Sequence, residues 1–263
     1  MEGAIIGDII GSVYEVNNPG TVDFDLFTAS SHVSDDSVLT VAVADALMND
    51  QSFFNRYRYW GRAFPDAGYG KFFKEWLFSD TDDQGKSFGN GAAMRVSPVA
   101  WLCQSLEEVL TVAKQSALPT HHHPEAIKGA QAIAAAIFMA RQKRSKPEIK
   151  QYIETQFGYT LDKDIAWLRA HYQFDSTAPG SVPEAIFIFL VSNHYEETIR
   201  NAISIGGDTD TIACMAGGIA EAYYGPVPDP IRQEALRRVP VSMLAVLQQF
   251  QLRVFPTMFG KSM

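Results

Sequence analysis

The stretch from Ile212 to Tyr224 is apolar on almost every side. Ile212, Ala213, Met215, Ala216, Ile219, Ala220, Ala222 and Tyr223 leave Glu221 as its only charge. A helix of that kind has no face for water and belongs in the middle of a protein. Gly206-Gly207-Asp208-Thr209-Asp210-Thr211 stands directly before it. Asp208 and Asp210 are therefore expected at the mouth of a buried helix. Carboxylates held close in a poorly solvated place repel each other, so they need protons, cationic side chains or metal ions.

A second stretch repeats the pattern. Ser34-Asp35-Asp36-Ser37 opens a helix through about Met48, whose apolar stripe is Leu39, Ala42, Val43, Ala46 and Leu47. Alone, a Ser N-cap followed by Asp in the first turn is an ordinary helix start. Taken together, the two stretches each put two carboxylates and neighbouring hydroxyls at the start of an apolar helix. If the helix starts converge, four carboxylates meet, and two divalent cations would neutralise them. All-oxygen ligands favour Mg²⁺ or Mn²⁺ over Zn²⁺.

The remaining chain reads as helices. Gly3, Gly7 and Gly11 leave one bare face on a helix expected from Gly3 to Glu15, suited to close packing or to a ligand near the backbone. Asp8 and Glu15 would share a face of it, two turns apart. Asn17–Val33 is expected as loop with one short extended piece. Further helices are expected at Ser52–Ala63, Tyr69–Phe78, Ala92–Cys103, Leu106–Ala117, Pro124–Arg141, Lys146–Phe157 and Leu161–Ala170. His171–Val182 reads as loop, with Pro183 opening a helix to Leu190. Helices at Tyr195–Ser204 and Asp208–Tyr224 follow, then one or two more to about Arg253. No strand series, repeat or composition shift appears. The expectation is all-α, a single-domain orthogonal multi-helix bundle over residues 1–263.

Composition excludes some functions. The formal charge of −8 argues against direct nucleic-acid binding by charge. Cys103 and Cys214 lie in apolar helical patterns and read as core residues. No apolar run is long enough to span a membrane, and no basic leader precedes one, so the expected location is cytoplasmic.

Two glycine-rich loops, Gly68-Tyr69-Gly70 and Phe88-Gly89-Asn90-Gly91, each precede a helix. Such loops point backbone N–H groups at anions, although glycine before a helix is also plain turn chemistry. A phosphate-bearing ligand with a ring to stack on Phe88 suits the pair. Thr120-His121-His122-His123-Pro124 is disfavoured as a metal site, since adjacent histidines do not all turn to one ion; one of them touching a ligand is expected. Arg95, a lone charge in an apolar helix, is expected either to neutralise buried carboxylates or to meet the ligand.

This set resembles the ADP-ribosylglycohydrolase family. The matching stretches are Gly7-Asp8…Glu15, Ser34-Asp35-Asp36-Ser37, Gly68-Tyr69-Gly70, Ser87-Phe88-Gly89-Asn90-Gly91-Ala92-Ala93-Met94-Arg95, Thr120-His121…Pro124 and Gly206-Gly207-Asp208-Thr209-Asp210-Thr211. They stand in the family's order and cover about residues 3 to 225. The resemblance implies an all-α fold and a centre of two Mg²⁺ or Mn²⁺ ions on Ser34, Asp35, Asp36, Asp208, Asp210 and Thr211. It implies an ADP-ribose cleft in which Gly68 and Gly70 meet the pyrophosphate, Ser87, Phe88 and Gly89 line the adenosine side, Asn90 and Gly91 also bind substrate, and His121 helps hold the ligand. Ser34 stands where the family usually has Thr; it keeps the ligating oxygen and loses a methyl group.

The implied reaction is hydrolysis of the bond between ribose C1″ and an acceptor, on an ADP-ribosylated protein or a small-molecule conjugate. Glu15 and Asp208 are the candidate general acids, with Asp36 also placed in the catalytic set. Two alternatives stand beside it: a two-metal phosphohydrolase acting on a nucleotide, and a non-catalytic ADP-ribose-binding protein.

Overall fold

The structure is a computed structural model that describes residues 1–81 and 85–256. Among the described residues it is all-helical. The helices are α1 (Glu2–Gly11), α2 (Asp35–Met48), α3 (Phe53–Ala63), α4 (Lys71–Phe78), α5 (Gly91–Met94), α6 (Ser97–Leu102), α7 (Leu106–Ala117) and α8 (Pro124–Arg141). They continue with α9 (Lys146–Phe157), α10 (Ile165–His171), α11 (Ala178–Val191), α12 (Tyr195–Ser204), α13 (Thr209–Tyr224), α14 (Asp229–Leu236) and α15 (Val241–Val254). No helix among the described residues is long and apolar enough to cross a membrane.

Helices α1 and α13 form the centre. Ile5, Ile6, Ile9 and Ile10 of α1 are fully buried, as are Ile212, Ala213, Ala216, Ile219 and Ala220 of α13. Each large aliphatic side chain so buried contributes about 1.5–3 kcal/mol. The glycine face of α1 is used for packing. A Cβ at Gly7 would lie 2.2 Å from the Ala213 carbonyl oxygen, and one at Gly11 would lie 2.5 Å from Asp210 Cα. Backbone meets backbone there, which brings Asp8 of α1 beside Asp210 of α13.

Several boundaries differ from the sequence expectation. Helix α1 ends at Gly11, not Glu15. Ser12 N makes the last ladder bond, to Asp8 O at 2.8 Å, while its Oγ donates to Ile9 O at 2.9 Å and accepts from His32 N at 3.2 Å. Glu15 is carried off the helix by the turn that follows, so it shares no helical face with Asp8. The helix expected over Ala92–Cys103 is two, α5 and α6. Pro98 has no N–H to give Met94 O, so the ladder stops, and Met94 O instead accepts from Cys214 Sγ at 3.3 Å.

Helix α10 begins at Ile165 because Asp164 caps it, accepting from Ala166 N and Trp167 N. Helix α11 begins at Ala178, well before Pro183, because Thr177 caps it by accepting from Gly180 N at 3.1 Å. Half of the expected His171–Val182 loop is therefore helical or capping. Residues 17–33 hold no strand. The extended pairing among the described residues is two isolated bridges, Lys86 with His121 and Gly89 with Thr177. They lay the Gly89–Gly91 loop between α8 and α11.

Candidate metal centre and ligand cleft

The N-termini of α2 and α13 converge on the buried side of α1. One carboxylate oxygen each from Asp8, Asp36 and Asp210 lies within 4.8 Å of the others. Asp8 is wholly buried and fully hydrogen-bonded. Its Oδ1 accepts from Ser34 Oγ at 2.6 Å, and its Oδ2 accepts from Ser34 N at 3.0 Å, Ser37 N at 3.1 Å and Ser37 Oγ. Asp36 Oδ2 accepts from Thr211 Oγ1 at 3.2 Å, while its Oδ1 is buried with no partner. Asp210 Oδ1 accepts from Thr211 N at 2.9 Å. Asp208 Oδ2 accepts from Asn90 Nδ2 at 2.8 Å.

Five carboxylates thus crowd one place, and the pKa values of Asp8, Asp35, Asp36 and Asp210 are raised there. Burial, followed by the charges of Asp8 and Asp208, pushes Asp35 up to about 8. Burial also holds Asp36 well above the usual carboxylate range, with Asp210 and Asp8 adding to it. Asp210 is raised in the same way by burial, then by Asp208 and Asp8. Asp8 is raised by burial against the opposing pull of its serine hydrogen bonds.

A divalent cation suits this donor set. The ligand atoms are all oxygen, Asp36 Oδ1 lacks any partner, and no lysine or arginine among the described residues forms an ion pair with the cluster. Both helix N-termini already favour negative charge, which is why the chain tolerates acids there before any ion arrives.

The other residues singled out from the sequence fall around this cluster. Glu15 is solvent-exposed, and its carboxyl is raised by partial burial and then by the Asp208 charge, which puts it on the open side of the centre. The Gly68 loop borders the acids: Ala67 O accepts from Asp35 N at 2.7 Å, and a Cβ at Gly68 would lie 3.7 Å from Asp35 Oδ1. Gly70 is the N-cap of α4, with open space where a side chain would go. Ser87 Oγ accepts from Gly89 N at 3.1 Å. Phe88 is 51% exposed, its ring 5.6 Å from that of His123. Asn90 N donates to Ser176 O, leaving its side-chain amide for Asp208. Gly91 opens α5 against the ring of His121.

The three histidines diverge. His121 is buried, His122 is exposed, and His123 caps α8 by accepting from Glu125 N at 3.2 Å. Arg95 does not pair with the acids. It is fully buried with its guanidinium 4.1 Å from the centre of the Tyr57 ring, and its Nη2 donates to Thr120 Oγ1 at 2.8 Å. Its charge reaches Asp35 only through space.

Two contributors lie outside the expected ligand set. Asp8 is the first, and its signal in the sequence was an acid set between two isoleucine pairs, Ile5-Ile6 and Ile9-Ile10. Ser37 is the second, a hydroxyl one turn into α2 that serves Asp8 rather than an ion. The stretch around Asp175–Thr177, read as loop, braces the Gly89–Gly91 loop through the Asn90 N to Ser176 O bond and the Gly89–Thr177 bridge. Of the polar stretch Ser79–Lys86, residues 82–84 lie outside the described residues.

Comparison with known proteins agrees with this geometry. The ADP-ribosylglycohydrolase family profile matches residues 1–255. ADP-ribosylhydrolase ARH3 of Mus musculus is 29% identical, the match covering 89% of this chain and 85% of that protein. ADP-ribosylhydrolase ARH3 of Homo sapiens is also 29% identical, covering 89% and 87%. The solved structure of an ADP-ribosylglycohydrolase-related protein complex shares the fold, with a TM-score of 0.69 at 21% identity over 97% of this chain and 96% of that one. With its family profile matched almost end to end and its acids gathered at two helix starts, this chain belongs to the ADP-ribosylglycohydrolase family.

Proposed function

We propose that this chain, acting as one domain, is a metal-dependent hydrolase that cleaves the bond between C1″ of the distal ribose of ADP-ribose and an acceptor. The acceptor is a protein side chain or a small molecule. The observation that carries this reading is the convergence of two acidic helix starts beside a glycine-bordered cleft, in a chain of this family.

Ser34, Asp35, Asp36, Asp208, Asp210 and Thr211 would hold two Mg²⁺ or Mn²⁺ ions, with Asp8 fixing Ser34 from behind. Bound there, such ions polarise sugar oxygens and lower the pKa of water. Gly68 and Gly70 border the place for the pyrophosphate, where the bare backbone and the N-terminus of α4 favour anions. Ser87, Phe88, Gly89, Asn90 and Gly91 line the adenosine side, and the exposed Phe88 ring is free to stack. His121 holds a ligand oxygen.

Glu15 is the proposed general acid. Its raised pKa keeps a proton available at higher pH than a free glutamate would, and its exposure leaves it open to an acceptor. Water attacks C1″, the bond to the acceptor breaks through an oxocarbenium-like state, and the leaving atom takes the proton from Glu15. Asp208 and Asp36 orient the attacking water as hydrogen-bond acceptors, and one of them takes the proton that the water loses. The net charge of −8 suits small or protein-borne conjugates rather than bare nucleic acid.

A panel of defined ADP-ribose conjugates tests the reading, each with Mg²⁺, with Mn²⁺ and with chelator. Free ADP-ribose released only with metal is the expected product. Inorganic phosphate or a mononucleotide as product would replace the reading with a phosphohydrolase. Tight ADP-ribose binding with no turnover of any conjugate would replace it with a binding protein.

A further inference from the structure

We propose that Arg95 and Thr120 fix the tautomer of His121, so that its Nε2 carries the hydrogen and faces the cleft as a neutral donor to a ligand oxygen. The identity of that ligand as an ADP-ribose conjugate rests on the function proposed above; the tautomer does not.

The relay runs one way because arginine has only donors. Arg95 Nη2 donates to Thr120 Oγ1 at 2.8 Å, and Thr120 Oγ1 lies 2.7 Å from His121 Nδ1. Thr120 is buried, and its hydroxyl makes no other hydrogen bond among the described residues. If Nδ1 carried a hydrogen, the hydroxyl hydrogen of Thr120 would be stranded in a dry place. That costs about 1–3 kcal/mol. With Nδ1 as acceptor the Thr120 hydroxyl uses both its hydrogen and a lone pair, and the bond dipoles all point away from the guanidinium. Nε2 must then hold the hydrogen, because the partner of one ring nitrogen decides the state of the other.

Arg95 is anchored for this task. Its guanidinium lies over the Tyr57 ring and also donates to Ser116 O at 3.3 Å. Burial holds the His121 pKa well down, and the positive charge of Arg95 adds to that, so the ring stays neutral.

The other end of the ring points at the ligand loop. A Cβ at Gly91 would lie 2.9 Å from His121 Nε2 and 3.0 Å from Cε1, and one at Gly89 would lie 3.8 Å from Nε2. Among the described residues nothing accepts from Nε2. Gly91 is thus required by the approach of His121, beyond any service to a phosphate. Arg95 and Thr120 are positioning residues acting through His121.

Ring-nitrogen NMR on the full-length, ¹⁵N-labelled, metal-free protein reads the tautomer directly. Six histidines give a sparse spectrum, and His121→Gln identifies the signal. The expected spectrum has Nδ1 unprotonated and Nε2 protonated. Thr120→Val should lose that pattern and weaken ADP-ribose binding about tenfold by calorimetry with Mg²⁺ present. Thr120→Ser should restore both. A protonated Nδ1 in the wild-type protein, or an unchanged His121 signal in a folded Thr120→Val, overturns the relay. If the wild-type spectrum is as expected but ADP-ribose does not bind, the ligand assignment falls and the tautomer stands.

Discussion

Asn90 Nδ2 donates to Asp208 Oδ2 at 2.8 Å, across 118 positions of sequence. This bond ties the Gly89–Gly91 loop to the acidic centre, so a ligand that met both would find them in register. It also leaves Asp208 with one oriented lone pair already used.

Asn90→Ala frees that carboxylate. Groups that orient metal ligands commonly set affinity by 10–100-fold. Mn²⁺ affinity measured by calorimetry is expected to fall about tenfold, with the helical circular-dichroism spectrum unchanged. Equal affinity in the two proteins would mean that the bond does not position Asp208 for an ion.

Gly7→Ala tests the central helix pair. Its new Cβ would meet the Ala213 carbonyl oxygen at 2.2 Å, a rigid backbone atom. Overpacking of this kind costs about 1–3 kcal/mol or more. Thermal melts should show a clear fall in Tm. Gly70→Ala, with open space around it, is the comparison and should melt near the wild-type temperature. A Gly7→Ala protein as stable as wild type would contradict the close crossing of α1 and α13.

The acidic centre predicts an inverted pH dependence for the metal-free protein. Asp8, Asp35, Asp36 and Asp210 all have folded pKa values above the unfolded value near 3.9. Between the two values the folded state binds more protons than the unfolded one, so stability falls as pH rises. For Asp35 the window runs from about 4 to about 8. Melts in chelator should fall in Tm across that range more steeply for wild type than for Asp36→Asn. Mg²⁺ competes with protons, so its stabilising effect should be larger at pH 8 than at pH 5.5. Parallel profiles for the two proteins in chelator would reject the account.

Glu15→Gln keeps the shape of the side chain and removes its proton donor. General acids typically contribute 10²–10⁴-fold. A fall in kcat of about that size is expected, with Mg²⁺ affinity unchanged, because Glu15 lies outside the set of acids proposed as ligands. Wild-type kcat in the variant would assign proton donation elsewhere.

The fold class and most helices were legible because they follow from local rules. Apolar periodicity and N-cap chemistry act within a few residues, so α2, α7, α8, α9, α12 and α13 begin and end within a residue of expectation. The exceptions had competing local signals. Pro98 broke a helix whose composition ran on, and Asp164 and Thr177 capped α10 and α11 inside stretches read as helix or loop.

The donor chemistry is written in the local sequence. Carboxylates and hydroxyls at two helix starts specify oxygen ligands wherever those starts lie. Which donors stand beside which follows from packing between distant segments. Asp8 joins the centre because three glycines let α1 press against the backbone of α13. Arg95 turns from the acids to Thr120 because α7 and the Tyr57 ring enclose it. These are contacts between residues far apart in the chain, set by how surfaces close on one another. The opening pair, Asp208 and Asp210, shows both levels: their spacing placed them at a helix mouth, and packing supplied Asn90 for the one and Asp8 for the other.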